Sequence, residues 1–169
     1  MSIVISGEVA EAIISIAKKH GYSPEEYIAR KILDDLDPQT RLKIYVELFR
    51  KYYTEAKKLA DKEDIVQACE KYWGAITSLL NIIGELRNIN HYSHSDYWEI
   101  MEMIISETKD DEIRRLFATA EKMHVNYYHN FIKKTNFPNC IRDAEKLIQK
   151  IIDYIEKINK DIARKLRQQ

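Results

Sequence analysis

The sequence predicts an all-α protein: an antiparallel bundle of four long helices plus a short helix, preceded by a small strand-helix-helix segment. Two observations carry this. The chain of 169 residues holds only 4 Gly and 3 Pro, too few turn formers for a chain of many short strands. From Gln39 onward, apolar residues recur at the spacing of an amphipathic helix, in stretches long enough for long helices. The length suits one compact body with a small appendage. The resulting division is an amino-terminal segment over residues 1–37, which could serve dimerisation, and a helical bundle over 38–169.

Ser2 to Ser6 reads as a short apolar strand, followed by a helix from about Glu8 to His20 closed by Gly21. In Ser23-Pro24-Glu25-Glu26 the serine suits a cap, the proline a first helical position, and Glu26 completes a capping box. That second helix should run to about Leu36, where Asp37-Pro38 stops it. The first long helix carries Leu42, Tyr45, Phe49, Tyr52 and Ala56 on one stripe; the second, capped by Asp64, carries Cys69, Tyr72, Ile76, Leu80 and Ile83. Gly74 beside Trp73 marks a close helix crossing. A polar connection, Arg87 to Ser95, leads to a short helix around Asp96 to Ser106. The third long helix begins near Asp110, with acidic residues favourable at its positive end, and should end near Asn136, before Pro138. The last, from about Asn139 to Leu166, places Ile141, Ala144, Ile148, Ile151, Ile155, Ile158 and Ile162 on a heptad seam suited to bundle packing or to a partner helix.

Lys plus Arg and Asp plus Glu both number 27, so no global positive field draws nucleic acid to the chain, and any such site must be local. Cys69 and Cys140 lie in apolar helical patterns and read as core thiols of a reducing cytosol. No segment approaches a membrane span and the amino terminus lacks a signal-peptide pattern, so a cytoplasmic protein that does not engage membranes is expected.

The stretch Arg87-Asn88-Ile89-Asn90-His91-Tyr92-Ser93-His94 gathers the residue types that handle phosphodiesters. An arginine holds phosphate through two hydrogen bonds and a histidine moves protons near neutral pH. It reads equally as a solvated turn in which Ser93 or Ser95 caps the next helix. A second polar group, His124 and Asn126, lies on the third long helix. At about 100° per residue His124 follows the stripe of Ile113, Phe117 and Ala120, whereas His129 lies roughly 140° away. His124 is thus either a satisfied core histidine or a group facing a cleft shared with the 87–96 connection. His91-x-x-His94 has a spacing found at some zinc sites, but neither cysteine is near it and no His-Glu-x-x-His pattern exists, so no metal and no cofactor is expected.

Ala68-Cys69-Glu70-Lys71-Tyr72-Trp73-Gly74-Ala75, Ser93-His94, and Ala120-x-x-Met123-His124-x-Asn126-Tyr127-Tyr128 resemble the PaREP family of archaeal proteins, related to the HEPN superfamily of helical nucleotide- and RNA-associated domains. The resemblance covers residues 39 to about 165. It implies a bundle that often dimerises and, in active members, a metal-independent ribonuclease using a closely spaced arginine and histidine. Arg87 and His94, with six residues between them, would then be catalytic, with Asn90, His91, His124 and Asn126 lining the binding cleft. The motif usually opens the last core helix, whereas here it follows the second long one. The first residues, about 2–36, resemble a ribbon-helix-helix module, which pairs strands in a dimer and reads DNA; this strand carries no arginine or lysine. Three readings follow: a HEPN-like domain binding RNA or a nucleotide, with metal-independent endoribonuclease activity left open; a non-catalytic dimeric module built on the strand and the isoleucine seam; and DNA binding through Lys18, Lys19, Arg30 and Lys31.

Overall fold

The computed structural model describes residues 4, 5, 7–19, 24–33, 35–91 and 93–168. Among these it holds eight helices and no strand: α1 (Glu8–Lys19), α2 (Pro24–Leu33), α3 (Pro38–Asp61), α4 (Ile65–Arg87), α5 (His94–Thr108), α6 (Glu112–His129), α7 (Phe137–Ile158) and α8 (Lys160–Arg167). The chain divides into two compact units, Met1–Arg41 and Leu42–Gln169. No helix among the described residues is long and apolar enough to cross a membrane.

In the first unit α1 packs on α2. The expected strand is corrected: Val4 and Ile5, its described residues, are irregular and exposed, and Ser2, Ile3 and Ser6 lie outside the described residues. A strand needs a partner for its ladder hydrogen bonds, and the described residues of this unit offer none. Ser23 of the expected capping box also lies outside the described residues, as does Gly21. Asp37 acts as a start signal: its carboxylate accepts from the amides of Gln39 (3.0 Å) and Thr40 (3.1 Å), capping α3.

In the second unit α4 is the axis. Every residue from Tyr72 to Gly84 is buried, as expected of a helix covered on all sides. Contacts fix the directions of its neighbours. Tyr45 meets His91 while Glu55 meets Lys71, so α3 runs antiparallel to α4. Glu102 meets Arg114, so α5 and α6 are antiparallel. Arg115 with Asp143 and Glu112 with Lys146 make α6 and α7 antiparallel. Gly74 is the expected close crossing: a Cβ there would lie 2.9 Å from the Tyr52 ring of α3.

Two boundaries differ from expectation. The third long helix ends at His129, not near Asn136, because Asn130 turns left-handed (φ 46°) and caps it. The last helix is interrupted at Asn159, whose extended backbone (φ −156°) starts α8 and whose side chain accepts from the Ile162 amide at 3.0 Å. The isoleucine seam is spent inside the unit, with Ala144, Ile148, Ile151 and Ile155 buried and α7 packed on α4, α6 and α8.

Candidate functional site

The polar connection does not act as one cluster. α4 ends in a turn around left-handed Asn88 (φ 54°), where the Ile89 amide donates to the Gly84 carbonyl at 3.0 Å. The chain then doubles back along α4. His91 lies over Gly84, where a Cβ would fall 2.4 Å from the imidazole. Ser93 caps α5 in a reciprocal capping box with Asp96, which puts His94 at the first helical position, stacked on Trp73 at 5.3 Å. From there α5 runs parallel to α4, bringing Glu107 back to Arg87.

This path separates the expected catalytic pair. Trp73 and Arg87 are about 20 Å apart along α4 at 1.5 Å per residue, and an arginine side chain cannot cover that span. Arg87 instead donates to Glu107 and to the Tyr154 hydroxyl, both at 2.6 Å, and Tyr154 donates to Glu107 at 2.8 Å. The hydrogen bond to Tyr154 raises the Arg87 pKa, and burial raises that of Tyr154. The network ties α4, α5 and α7 together. His91 is equally structural: 4 % exposed, its Nδ1 lies 2.8 Å from the Ile89 carbonyl and its Nε2 3.1 Å from Glu85. Asn126, fully buried, accepts from the Ile132 amide at 2.6 Å and anchors the segment after α6. Asn90 is exposed and makes no side-chain hydrogen bond among the described residues.

His94 and His124 do converge. Their ring centroids are 5.4 Å apart, and the Trp73 indole stacks on both, on His124 at 5.0 Å. His124 Nδ1 is 2.9 Å from Glu70 Oε2. His94 Nδ1 is 3.5 Å from Glu121 Oε1, and that oxygen is held by a hydrogen bond from the Trp98 indole at 2.9 Å. The Glu70 carboxylate places the His124 proton on Nδ1 and leaves Nε2 as the nitrogen with the lone pair; at His94 the Glu121 carboxylate favours the same tautomer across the longer distance. Neither Nε2 makes a hydrogen bond among the described residues. The His94 side chain is 52 % exposed and that of His124 8 %, so one ring stands at the surface and the other just below it. No three His, Cys, Asp or Glu residues among those described are arranged to hold a metal ion.

Glu70, Trp73 and Glu121 are site residues that sequence reasoning missed. The signal was present: Glu70 precedes Trp73, and Glu121 precedes His124, by one helical turn, which puts each pair on one face. The charged members of these pairs look like solvated surface until the partner helix is in place.

The sequence model of the archaeal PaREP1/PaREP8 family matches residues 44–148. The chain belongs to that family. The matched span runs from α3 into α7 and contains every member of the histidine cluster. No curated protein and no solved structure matches the chain.

Proposed function

We propose that this PaREP-family chain is a HEPN-like helical domain acting on RNA as a metal-independent endoribonuclease, with His94 and His124 as its proton-transfer pair. The observation that carries the reading is the convergence of two imidazoles from different helices, 5.4 Å apart, each with Nδ1 beside a carboxylate. Two such rings suit cleavage through the ribose 2′-hydroxyl. One Nε2 takes the hydroxyl proton as the oxygen attacks phosphorus. The other ring, protonated on both nitrogens as an imidazolium, gives its Nε2 proton to the departing 5′-oxygen, leaving a 2′,3′-cyclic phosphate and a 5′-hydroxyl. Arg87 has no part in this scheme.

The test is cleavage of end-labelled single-stranded RNA in excess EDTA by the wild type, His94→Ala, His124→Ala and Arg87→Ala. The expected result is cleavage by wild type and Arg87→Ala, lost in both histidine variants while their helical content is retained. Absence of cleavage by the wild type, or loss in Arg87→Ala alone, overturns the assignment. A second reading, a non-catalytic homo-oligomeric module, is favoured by exposed apolar residues of the first unit, Val4, Val9, Ile14 and Ile32. It predicts a concentration-dependent mass that substitution of these residues by polar ones abolishes.

A further inference from the structure

The carboxyl end of α6 exposes aromatic rings where a helical bundle would ordinarily bury them. Tyr127, Tyr128 and Phe131 are 39 %, 44 % and 40 % exposed. The two tyrosines adjoin the histidine pair: the Tyr128 ring stands edge-on to His124 at 5.4 Å, and Tyr127 edge-on to Tyr128 at 5.2 Å. Their support is rigid. Asn130 ends the helix, and the Asn126 side chain pins the amide of buried Ile132, the residue after Phe131. Lys133 follows, exposed and without an ion pair among the described residues, whereas Lys134 is held by Glu63 at 2.6 Å.

We infer that Tyr127, Tyr128 and Phe131 form a stacking platform for the bases of a single strand that passes the His94 and His124 pair, with Lys133 meeting its phosphates. Exposed planar rings bind the flat faces of nucleobases with little regard to sequence, and a duplex offers those faces only at its ends. The substrate is therefore single-stranded. This rests on the reading of the histidine pair as acting on RNA, but binding is measurable apart from cleavage.

The test uses fluorescein-labelled 2′-O-methyl oligoadenylate, which has no free 2′-hydroxyl and so remains intact, against the same strand annealed to its complement. Anisotropy titrations of the full chain are expected to show clear preference for the single strand. Tyr128→Ala should weaken binding about tenfold, the loss of one stacked base, with the salt dependence unchanged. Tyr128→Phe should bind as wild type. Lys133→Ala should reduce the slope of log affinity against log salt by about 0.7, one phosphate contact. Equal binding of duplex and single strand, or Tyr128→Ala and Tyr127→Ala binding as wild type, overturns the platform even if RNA is cleaved. A change of molecular mass in the tyrosine variants without a change in binding also overturns it, making the patch a contact between copies. Strand binding that needs the tyrosines in a protein that does not cut RNA upholds the platform and removes only the acid-base assignment.

Discussion

His91 and His94 stand three positions apart in the same connection and have opposite fates. His91 is buried over Gly84, with acceptors facing both ring nitrogens. His94 is half-exposed, stacked on Trp73, with one nitrogen beside a carboxylate and the other available. The same side chain is a structural peg at one position and the proposed proton-transfer group at the other. What separates them is how many of their hydrogen-bonding atoms the fold has already used.

The sharpest way to break this comparison is to remove the peg. His91→Ala should cost about 3 kcal/mol of stability in urea unfolding, since it opens a cavity and deprives Glu85, itself 4 % exposed at the side chain, of its imidazole. A loss near zero would make His91 as dispensable as a surface residue. Gly84→Ala should cost roughly 1–3 kcal/mol, because its new methyl group must displace a ring held on both sides. Any fall in RNA cleavage by that variant would reflect displacement of the connection that carries His94, which a shift of the His94 imidazole signals in NMR spectra would reveal.

Alkaline titration probes the core around the amino-terminal half of α4. Burial pushes the Cys69 thiol from 9.0 up to about 12 and raises Tyr72 as well. Above pH 9 the unfolded chain loses the thiol proton while the folded chain keeps it. Stability should therefore fall between pH 9 and about 12, by at most about 1.4 kcal/mol per pH unit for the thiol. Cys69→Ala should flatten that limb of a thermal-unfolding series. The smallest effects belong to exposed groups. Arg87→Ala should cost about 1 kcal/mol through the lost contacts to Tyr154 and Glu107, and His94→Ala less than about 0.5 kcal/mol. If His94→Ala proved more damaging to stability than His91→Ala, the roles assigned to the two would be reversed.

Much of the bundle was legible in the sequence because period and caps act locally: the stripes of α3 and α4, the Asp64 cap and the Gly74 crossing are all found. The interruption at Asn159 was not, because the isoleucine period continues across it and only the asparagine side chain, bonding to Ile162, breaks the helix. The site was half legible. His94 and His124 were singled out, but so were Arg87, His91 and Asn126, and spacing along the chain could not tell which would meet. That depended on the connection doubling back along α4, a path set by the turn at Asn88 and the absence of a side chain at Gly84. Glu70 and Glu121 were unreadable for a related reason. A carboxylate becomes part of an imidazole site only when another helix delivers the ring.

The fit of His91 over Gly84 also couples the two positions across generations. A Cβ at 84 and an imidazole at 91 would claim the same space, so a chain that gains a side chain at the first must shrink or reroute the second. In descendants of this sequence a side chain enters at 84 without strain only after the ring at 91 has been lost, so the order of those substitutions is constrained: the ring must go before the glycine does.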